Sequence, residues 1–92
     1  MTMNSNTNKG SVIDVRESFE LFMGKVEGSV NIPLGSIPKS LDQLSQLPKP
    51  LVFICASGNR SGQAVSYLQS IGWTEVYNGG GWRSYKEKQK AA

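Results

Sequence analysis

The stretch Val52-Phe53-Ile54-Cys55-Ala56-Ser57-Gly58-Asn59-Arg60-Ser61 decides the fold, because it leads from a strand through a short polar loop into a helix. Residues 51–54 are a β-branched and aromatic run that follows Pro48 and Pro50, which is typical of a buried strand. Apolar residues then recur at helical spacing and end at a glycine in the position of a left-handed C-cap (Ala64, Val65, Leu68, Ile71 and Gly72). The pattern predicts a strand, a loop and a helix in that order.

The predicted loop begins with Cys55, the only cysteine in the chain, and Arg60 lies at its end. A loop that enters a helix N-terminus presents unpaired backbone N–H groups, and the helix dipole adds partial positive charge there. A thiol in that field ionises more readily than a free thiol, and the same N–H groups bind anions. A lone cysteine is most often an inert buried side chain. The position of Cys55 at the start of this loop instead favours a nucleophile in an anion pocket. The residues expected to bind the anion are those that follow Cys55 in the loop: Ala56, Ser57, Gly58, Asn59, Arg60 and Ser61.

The composition indicates a small globular domain and excludes several kinds of site. The 92 residues are 38% hydrophobic and 18% charged, with a net charge of +3, which is an ordinary balance for a globular protein. One cysteine and no histidine exclude an internal disulfide, a Cys–His pair and a histidine metal site. We therefore expect no metal and no cofactor, and Cys55 must be activated by backbone dipoles and Arg60.

The two ends of the chain predict no membrane or nucleic-acid partner. Residues 1–10 are rich in Asn, Ser and Thr, so we expect a disordered lead-in, followed by one domain over residues 11–92. The lead-in lacks the apolar segment of a signal peptide, and no stretch is long and apolar enough to span a membrane. The lysines near the C-terminus fit a solvated helix end. A free thiol suits a reducing compartment, so the expected location is the cytoplasm, although a leader removed earlier would leave no trace.

Strands and helices alternate along the rest of the chain. Strands are expected at residues 11–15, 29–32 and 75–77, and helices at residues 17–23, 37–47 and 82–90. In the first of these helices the side chains of Phe19, Phe22 and Met23 are expected on one face, and residues 79–81 are interpreted as a glycine turn. The order predicts a three-layer α/β/α sandwich around a mostly parallel sheet of four to five strands. A ligand crevice in such a sheet lies beyond the carboxyl ends of the strands, where Cys55 falls.

Four segments resemble the rhodanese-like sulfurtransferases, in that family's order and spacing. The loop from Cys55 resembles the family's active-site loop, Cys-x-x-Gly-x-Arg-Ser. Residues 13–17 (IDVRE) resemble its first core strand, residues 28–34 (GSVNIPL) its Gly-Ala-x-Asn-Ile-Pro segment, and residues 72–81 its closing strand and glycine turn. The similarity covers roughly residues 12–86 and implies the rhodanese-like fold. It also implies that Asp14 and Arg16 support the active-site loop, whereas the residues alone fit a strand-end ion pair equally well.

The resemblance implies a sulfurtransferase. In this hypothesis Cys55 takes a sulfane sulfur from a small anionic donor, such as thiosulfate or a persulfide, and carries it as a persulfide. The sulfur then passes to a thiophilic acceptor, which is a thiol, cyanide or a protein. Arg60 and the loop N–H groups hold the donor's charge, while Ser61 is either a donor to the substrate or a plain N-cap. The residues alone imply only a nucleophile beside an anion site.

Two other functions stay open on the sequence. A phosphatase or arsenate reductase on the same scaffold also uses a cysteine–arginine loop, but such loops are one residue longer than the four residues between Cys55 and Arg60 here. A low-turnover sulfur-relay or binding module would use the same loop and would differ only in its acceptor, which depends on the rim of the pocket.

Overall fold

A computed structural model describes residues 10–91 of the chain. Within this part, four parallel strands form one sheet in the order β2-β1-β3-β4. The strands are β1 (Ser11–Asp14), β2 (Val30–Asn31), β3 (Leu51–Cys55) and β4 (Val76–Gly81). The predicted α/β class and parallel sheet are confirmed. The disordered lead-in was predicted for residues 1–10, and residues 1–9 lie outside the described residues.

The connections between the strands are helical. They are a first 3-10 helix (Ser18–Met23), a second 3-10 helix (Leu34–Lys39), α1 (Leu41–Ser45), α2 (Asn59–Ser70) and, after β4, α3 (Trp82–Ala91). Helix α2 ends as predicted: Gly72 has a φ of +95°, and Trp73 N–H donates to the carbonyl of Leu68 at 3.0 Å. Among residues 10–91, no helix combines the length and the apolarity needed to cross a bilayer.

Both faces of the sheet are covered, because successive side chains of a strand point to opposite faces. On one face, Phe53 packs with Leu68 of α2 and with Leu44 of α1 in the larger core cluster. On the other face, Ile54 packs with Val26 and with Trp82 of α3. This is the three-layer arrangement expected from the sequence. It places the side chain of Cys55, two residues after Phe53, on the α2 side of the sheet.

One helix predicted from apolar spacing is divided in the structure. Residues 37–47 were expected to form one amphipathic helix, but the second 3-10 helix ends at Lys39 and α1 begins at Leu41. Pro38 lies inside the 3-10 helix. Proline lacks an N–H group and its ring clashes with the preceding turn of an α-helix, so it favours the shorter element here. The apolar spacing still reports burial, because Ile37 and Leu44 are both in the core.

The first 3-10 helix does not bury its apolar side chains. Phe19 is 76% exposed, Phe22 is 92% exposed and Met23 is 59% exposed. Residues three apart eclipse one another in a 3-10 helix, so Phe19 and Phe22 share a face, and Met23 lies instead on the face of Glu20. Polar contacts position this helix: Glu17 and Glu20 form a capping box, and Gly24 ends the helix as predicted.

The glycine triplet is part of a strand, and its interpretation as a turn is wrong. Phe53 pairs with Asn78 and Ile54 pairs with Gly80, so Gly79 is an extra residue in β4. Such a β-bulge re-aims the side chains beside it. A Cβ added at Gly79 would lie 2.7 Å from Val52 Cγ1 and 2.9 Å from Ile54 Cγ2. The missing side chain at Gly79 therefore lets β4 lie directly against β3 and brings Asn78 to the Cys55 loop.

Gly79→Ala should destabilise the fold by about 1 to 3 kcal/mol, because the new methyl group must displace two packed side chains or separate the strands. Gly35→Ala is the matched control, since a Cβ there meets nothing within 4 Å; its effect should stay within about 0.5 kcal/mol. Urea denaturation measures both. Equal stability of the two variants would contradict the close approach of β4 to β3.

Candidate active site

Cys55 is the last residue of β3, and its sulfur lies next to the N-terminus of α2. The residue is only 1% exposed. Two backbone N–H groups point at Sγ: that of Gly58 at 3.0 Å and that of Ser61 at 3.3 Å. A buried sulfur anion needs such donors, because burial without partners penalises charge. The sulfur of Cys55 thus has two donors already in place that would stabilise a negative charge on it.

The loop curls because Gly58 adopts a backbone conformation that other residues avoid. Its φ is +100° and its ψ is −8°, and it forms the N-cap of α2. This left-handed turn aims its own N–H back at the sulfur and starts the helix at Asn59. Ala56, Ser57 and Asn59 are exposed, whereas Ser61 is buried. The predicted binding residues therefore divide into an outer rim and an inner pair, Gly58 and Ser61, that contacts Cys55.

A polar side chain of β4 completes the site, and sequence reasoning did not find it. Ser61 Oγ lies 3.4 Å from Cys55 Sγ and donates its hydrogen bond to Asn78 Oδ1 at 2.6 Å. Asn78 Nδ2 donates in turn to the carbonyl of Gly58 at 3.0 Å. Asn78 lies 17 residues after Ser61, and its place depends on the β4 bulge, which no local pattern reveals. The inner part of the site is thus one connected hydrogen-bond network.

Two opposing effects act on the ionisation of Cys55. Burial is the larger single effect and raises the pKa of the thiol. The N–H groups of Ser61 and Gly58, with the nearby N–H of Ser57, favour the thiolate, and so does the Ser61 hydroxyl when its hydrogen is turned to the sulfur. Together these groups outweigh burial. The net result is a pKa of Cys55 below its ordinary value, which favours nucleophilic reactivity.

Arg60 is held by an ion pair that the sequence did not predict. Its Nη1 and Nη2 atoms donate to the two carboxylate oxygens of Glu20 at 2.7 and 2.9 Å. The Arg60 side chain is 32% exposed and that of Glu20 is 17% exposed. Hydrogen bonds from Arg60 lower the pKa of Glu20 to about 2. Among residues 10–91, the hydrogen bonds of the Arg60 guanidinium go to Glu20 and none goes to Cys55, so any effect of Arg60 on Cys55 acts through its charge alone.

Asp14 and Arg16 form a buried ion pair that reaches the site only through other residues. Arg16 Nη2 lies 2.8 Å from Asp14 Oδ2, and both side chains are fully buried. The same guanidinium donates to the carbonyls of Glu20 at 3.3 Å and Gly24 at 2.9 Å, and it stacks on the Trp82 ring at 4.6 Å. The pair thus clamps the first 3-10 helix, which carries the carboxylate that orients Arg60.

A separate cavity of about 620 Å³ lies at the other end of the sheet, where β1 begins. Its lining includes Ser11, Glu27, Gly28, Tyr85 and Gln89. None of its lining residues belongs to the Cys55 network. The chemistry of the described residues is therefore concentrated at the carboxyl ends of the strands, as expected for an open parallel sheet.

Comparisons with known proteins agree on one family. The family model described as Rhodanese-like domain matches residues 2–88. The putative sulfurtransferase YtwF of Bacillus subtilis is 37% identical over 79 residues, which is 86% of this chain and 76% of the relative. Thiosulfate sulfurtransferase GlpE of Pseudomonas fluorescens is 34% identical over 77 residues, which is 79% of this chain and 70% of the relative.

A solved structure shows the same fold, and curated relatives differ in length. The human single-domain sulfurtransferase TSTD1 has a TM-score of 0.74 and 28% identity, and the match covers 91% of this chain and 87% of that one. The chain spans 66%, 36% and 28% of the length of three other curated relatives. The shared unit is therefore a module that occurs both in short proteins and within longer ones.

The ion pair of Glu20 predicts a defined acid sensitivity. The folded pKa is about 2 against an ordinary value of 4.5, so the pair's stabilisation is complete above pH 4.5 and is lost as the pH falls through about 2. The difference in unfolding free energy between the wild type and Glu20→Gln should therefore shrink across that window. Urea denaturation at a series of pH values measures it.

Arg60→Ala supplies the control for this experiment. In that background Glu20 keeps the N–H of Glu17, a hydrogen bond that glutamine can also accept, so Glu20→Gln should change stability much less than it does in the wild type. A wild-type advantage over Glu20→Gln that does not change between pH 4.5 and pH 2, or one that is undiminished in the Arg60→Ala chain, would contradict the assigned ion pair.

Proposed function

This chain belongs to the rhodanese-like domain family, and we propose that it is a sulfurtransferase in which Cys55 carries the transferred sulfur as a persulfide. The observation that supports this most directly is the convergence of the Gly58 and Ser61 N–H groups on Cys55 Sγ, at 3.0 and 3.3 Å. These donors stabilise a thiolate without a neighbouring base, which a chain with no histidine requires. The names of its relatives support the same class of reaction.

The proposed reaction has two steps. The Cys55 thiolate attacks the outer, sulfane sulfur of thiosulfate, a new S–S bond forms, and the bond to the sulfonate sulfur breaks. Sulfite leaves with the electron pair, and the negative charge now lies on the outer sulfur of the Cys55 persulfide. An acceptor thiolate or cyanide then attacks that outer sulfur, and Cys55 departs as the thiolate. This is covalent catalysis in ping-pong order, with no cofactor.

The exposed part of the loop can stabilise the negative charges that the two steps involve, on the oxygens of the sulfur donor and on the outer sulfur of the persulfide. The N–H groups of Ala56, Ser57 and Asn59 border the inner site, where the outer persulfide sulfur and the donor's oxygens must be received. Arg60 has five N–H donors, and Glu20 engages two of its nitrogens. The remaining N–H groups of Arg60 can bind the oxygens of the anionic sulfur donor. Asp14 and Arg16 act as supports, because they hold the helix that carries Glu20.

The short loop makes a phosphatase or arsenate reductase the weaker hypothesis. Four residues separate Cys55 from Arg60, and the inner N–H groups are directed at the sulfur atom itself. A loop of that length suits one extra sulfur at its centre better than a phosphate group enclosed on all sides, and the oxygens of thiosulfate would stay at the exposed rim. A sulfur-relay module uses the same persulfide and differs in its acceptor, so a fast first step with slow transfer to cyanide would identify that variant of the function.

Intact-mass spectrometry tests the persulfide directly. After incubation with thiosulfate and removal of the excess, the wild type should gain the mass of one sulfur atom, because the new S–S bond is covalent. Cyanide should remove the added sulfur and yield thiocyanate. Cys55→Ala should gain nothing, and Cys55→Ser, which keeps the size and polarity of the side chain, should also gain nothing.

The same samples distinguish the competing functions. No added sulfur on the wild type with thiosulfate or with a low-molecular-weight persulfide would contradict a sulfurtransferase of either kind. Hydrolysis of an aryl phosphate that depends on Cys55 would favour the phosphatase instead. Added sulfur that cyanide removes slowly, and that a protein thiol removes quickly, would assign the relay.

A further inference from the structure

Asn78 holds together three parts of the site, although it does not touch the sulfur. Its Oδ1 accepts hydrogen bonds from Ser61 Oγ at 2.6 Å and from the N–H of Gly80 at 2.9 Å. Its Nδ2 donates to the carbonyl of Gly58 at 3.0 Å. Gly58 and Ser61 are the two residues whose N–H groups contact Cys55. The Asn78 side chain therefore contacts both residues, Gly58 and Ser61, whose N–H groups point at the sulfur.

The chemistry of its partners fixes the orientation of the Asn78 amide. The N–H of Gly80 can only donate and the carbonyl of Gly58 can only accept, so Oδ1 and Nδ2 cannot be exchanged. Ser61 has a single hydroxyl hydrogen, which it donates in a hydrogen bond to Asn78 Oδ1, with 2.6 Å between the two oxygens. The oxygen of Ser61 is then left with lone pairs facing Cys55 Sγ at 3.4 Å. This arrangement suits a protonated Cys55 that donates its S–H to Ser61.

Ionisation of Cys55 requires that hydrogen to move. A thiolate has no hydrogen to give and accepts hydrogen bonds, so Ser61 stabilises it only by turning its O–H from Asn78 Oδ1 to the sulfur. Oδ1 then keeps the hydrogen bond from Gly80. The Ser61 hydroxyl hydrogen thus has two competing acceptors, the side-chain oxygen of Asn78 and the sulfur of Cys55. The more strongly Asn78 binds this hydrogen, the less it is available to stabilise the thiolate.

We propose that Asn78 is a positioning residue for Cys55, which sets the balance between thiol and thiolate by competing for the hydroxyl hydrogen of Ser61. This inference rests on the proposed function only in taking Cys55 as the reacting group. Removing the acceptor at residue 78 should free the Ser61 hydrogen for the sulfur and favour the thiolate. Strengthening that acceptor should hold the hydrogen away and favour the thiol.

Variants of Asn78 remove no charged group of the wild type, although Asn78→Asp adds a negative charge. Arg60 of α2 is paired with Glu20 of the first 3-10 helix, and Asp14 of β1 is paired with Arg16. The other titratable groups on the elements of this face are Tyr67 of α2 and the exposed side chains of Lys39 and Asp42. Tyr77 follows Val76 in β4, so its side chain points to the opposite face of the sheet. The charged side chains of α3 lie across the sheet, on the face that Trp82 covers.

Two variants of nearly equal size give opposite predictions. Asn78→Leu removes the competing acceptor, so the midpoint for ionisation of Cys55 should fall by about half a pH unit, the equivalent of one modest hydrogen bond. Asn78→Asp offers two acceptor oxygens and a negative charge, so the midpoint should rise by about one pH unit. The rate of alkylation by iodoacetamide as a function of pH measures both, with the ultraviolet absorbance of the thiolate as a second readout.

The fold should tolerate both changes. Asn78 is exposed, and the Gly58 carbonyl keeps the N–H of Gly62 as a donor at 3.1 Å. If Asn78→Leu does not fold, Asn78→Ala removes the same acceptor and carries the same prediction. In the Ser61→Ala background, Asn78→Leu should leave the midpoint unchanged, because the contested hydrogen is gone.

A fall of the midpoint in Asn78→Leu that disappears without Ser61, together with a rise in Asn78→Asp that is smaller without Ser61, would support the assignment. Shifts of the same sign in Asn78→Leu and Asn78→Asp, or a shift in Asn78→Leu that persists without Ser61, would overturn it. Alkylation uses no sulfur donor, so this outcome is independent of sulfur loading. Opposite shifts in a chain that never acquires sulfur from thiosulfate would leave the role of Asn78 intact and overturn the proposed function.

Discussion

Two backbone N–H groups point at the sulfur of Cys55, and the surrounding structure is arranged to keep them there. A sulfur this buried ionises only if donors replace water, and the donors at 3.0 and 3.3 Å do so. Their convergence needs β3 to end at Cys55, α2 to begin at Asn59, and Gly58 to turn left-handed between them. A parallel sheet provides this geometry, because its strands end together where the following helices begin.

A second chain of contacts secures the loop from outside. It runs from the buried Asp14–Arg16 pair to the backbone of the first 3-10 helix, and from the carboxylate of Glu20 to Arg60. These polar contacts explain how a helix that leaves Phe19 and Phe22 largely exposed keeps its place. Most helices of globular proteins are held by their apolar face, whereas this one is held by charge and by backbone acceptors. Its position therefore depends on two ion pairs: Asp14–Arg16, which reaches its backbone through the Arg16 guanidinium, and Glu20–Arg60, which uses its Glu20 side chain.

Local patterns in the sequence were sufficient for the elements that build the site. The β-branched run of β3, the polar loop and the glycine after α2 each act through neighbouring residues, so strand, loop and C-cap could be predicted from order alone. The alternation of strands and helices predicted the parallel sheet, and the family segments implied the same fold. Pro38 interrupted a helix whose apolar spacing looked continuous, because spacing reports burial and not whether a backbone N–H is available.

The contacts that tune the site could not be predicted in this way. Glu20 and Arg60 are 40 residues apart, and Ser61 and Asn78 are 17 apart, so only the folded chain brings them together. Asn78 reaches the loop because Gly79 is an extra residue in β4, and a run of three glycines indicates a turn as readily as a bulge. Side chains that contact Cys55 only through a third residue carry no spacing pattern of their own.

The acidity of one thiol tests the central claim most directly. The pH dependence of alkylation of Cys55 should be measured in the folded chain and in the same chain unfolded in urea, where the loop N–H groups no longer converge. The structure predicts a lower midpoint in the folded chain, because the hydrogen bonds to the sulfur outweigh its burial. An equal or higher midpoint in the folded chain, or a thiol that reacts only after unfolding, would contradict the assignment of Cys55 as a nucleophile held ready by its loop.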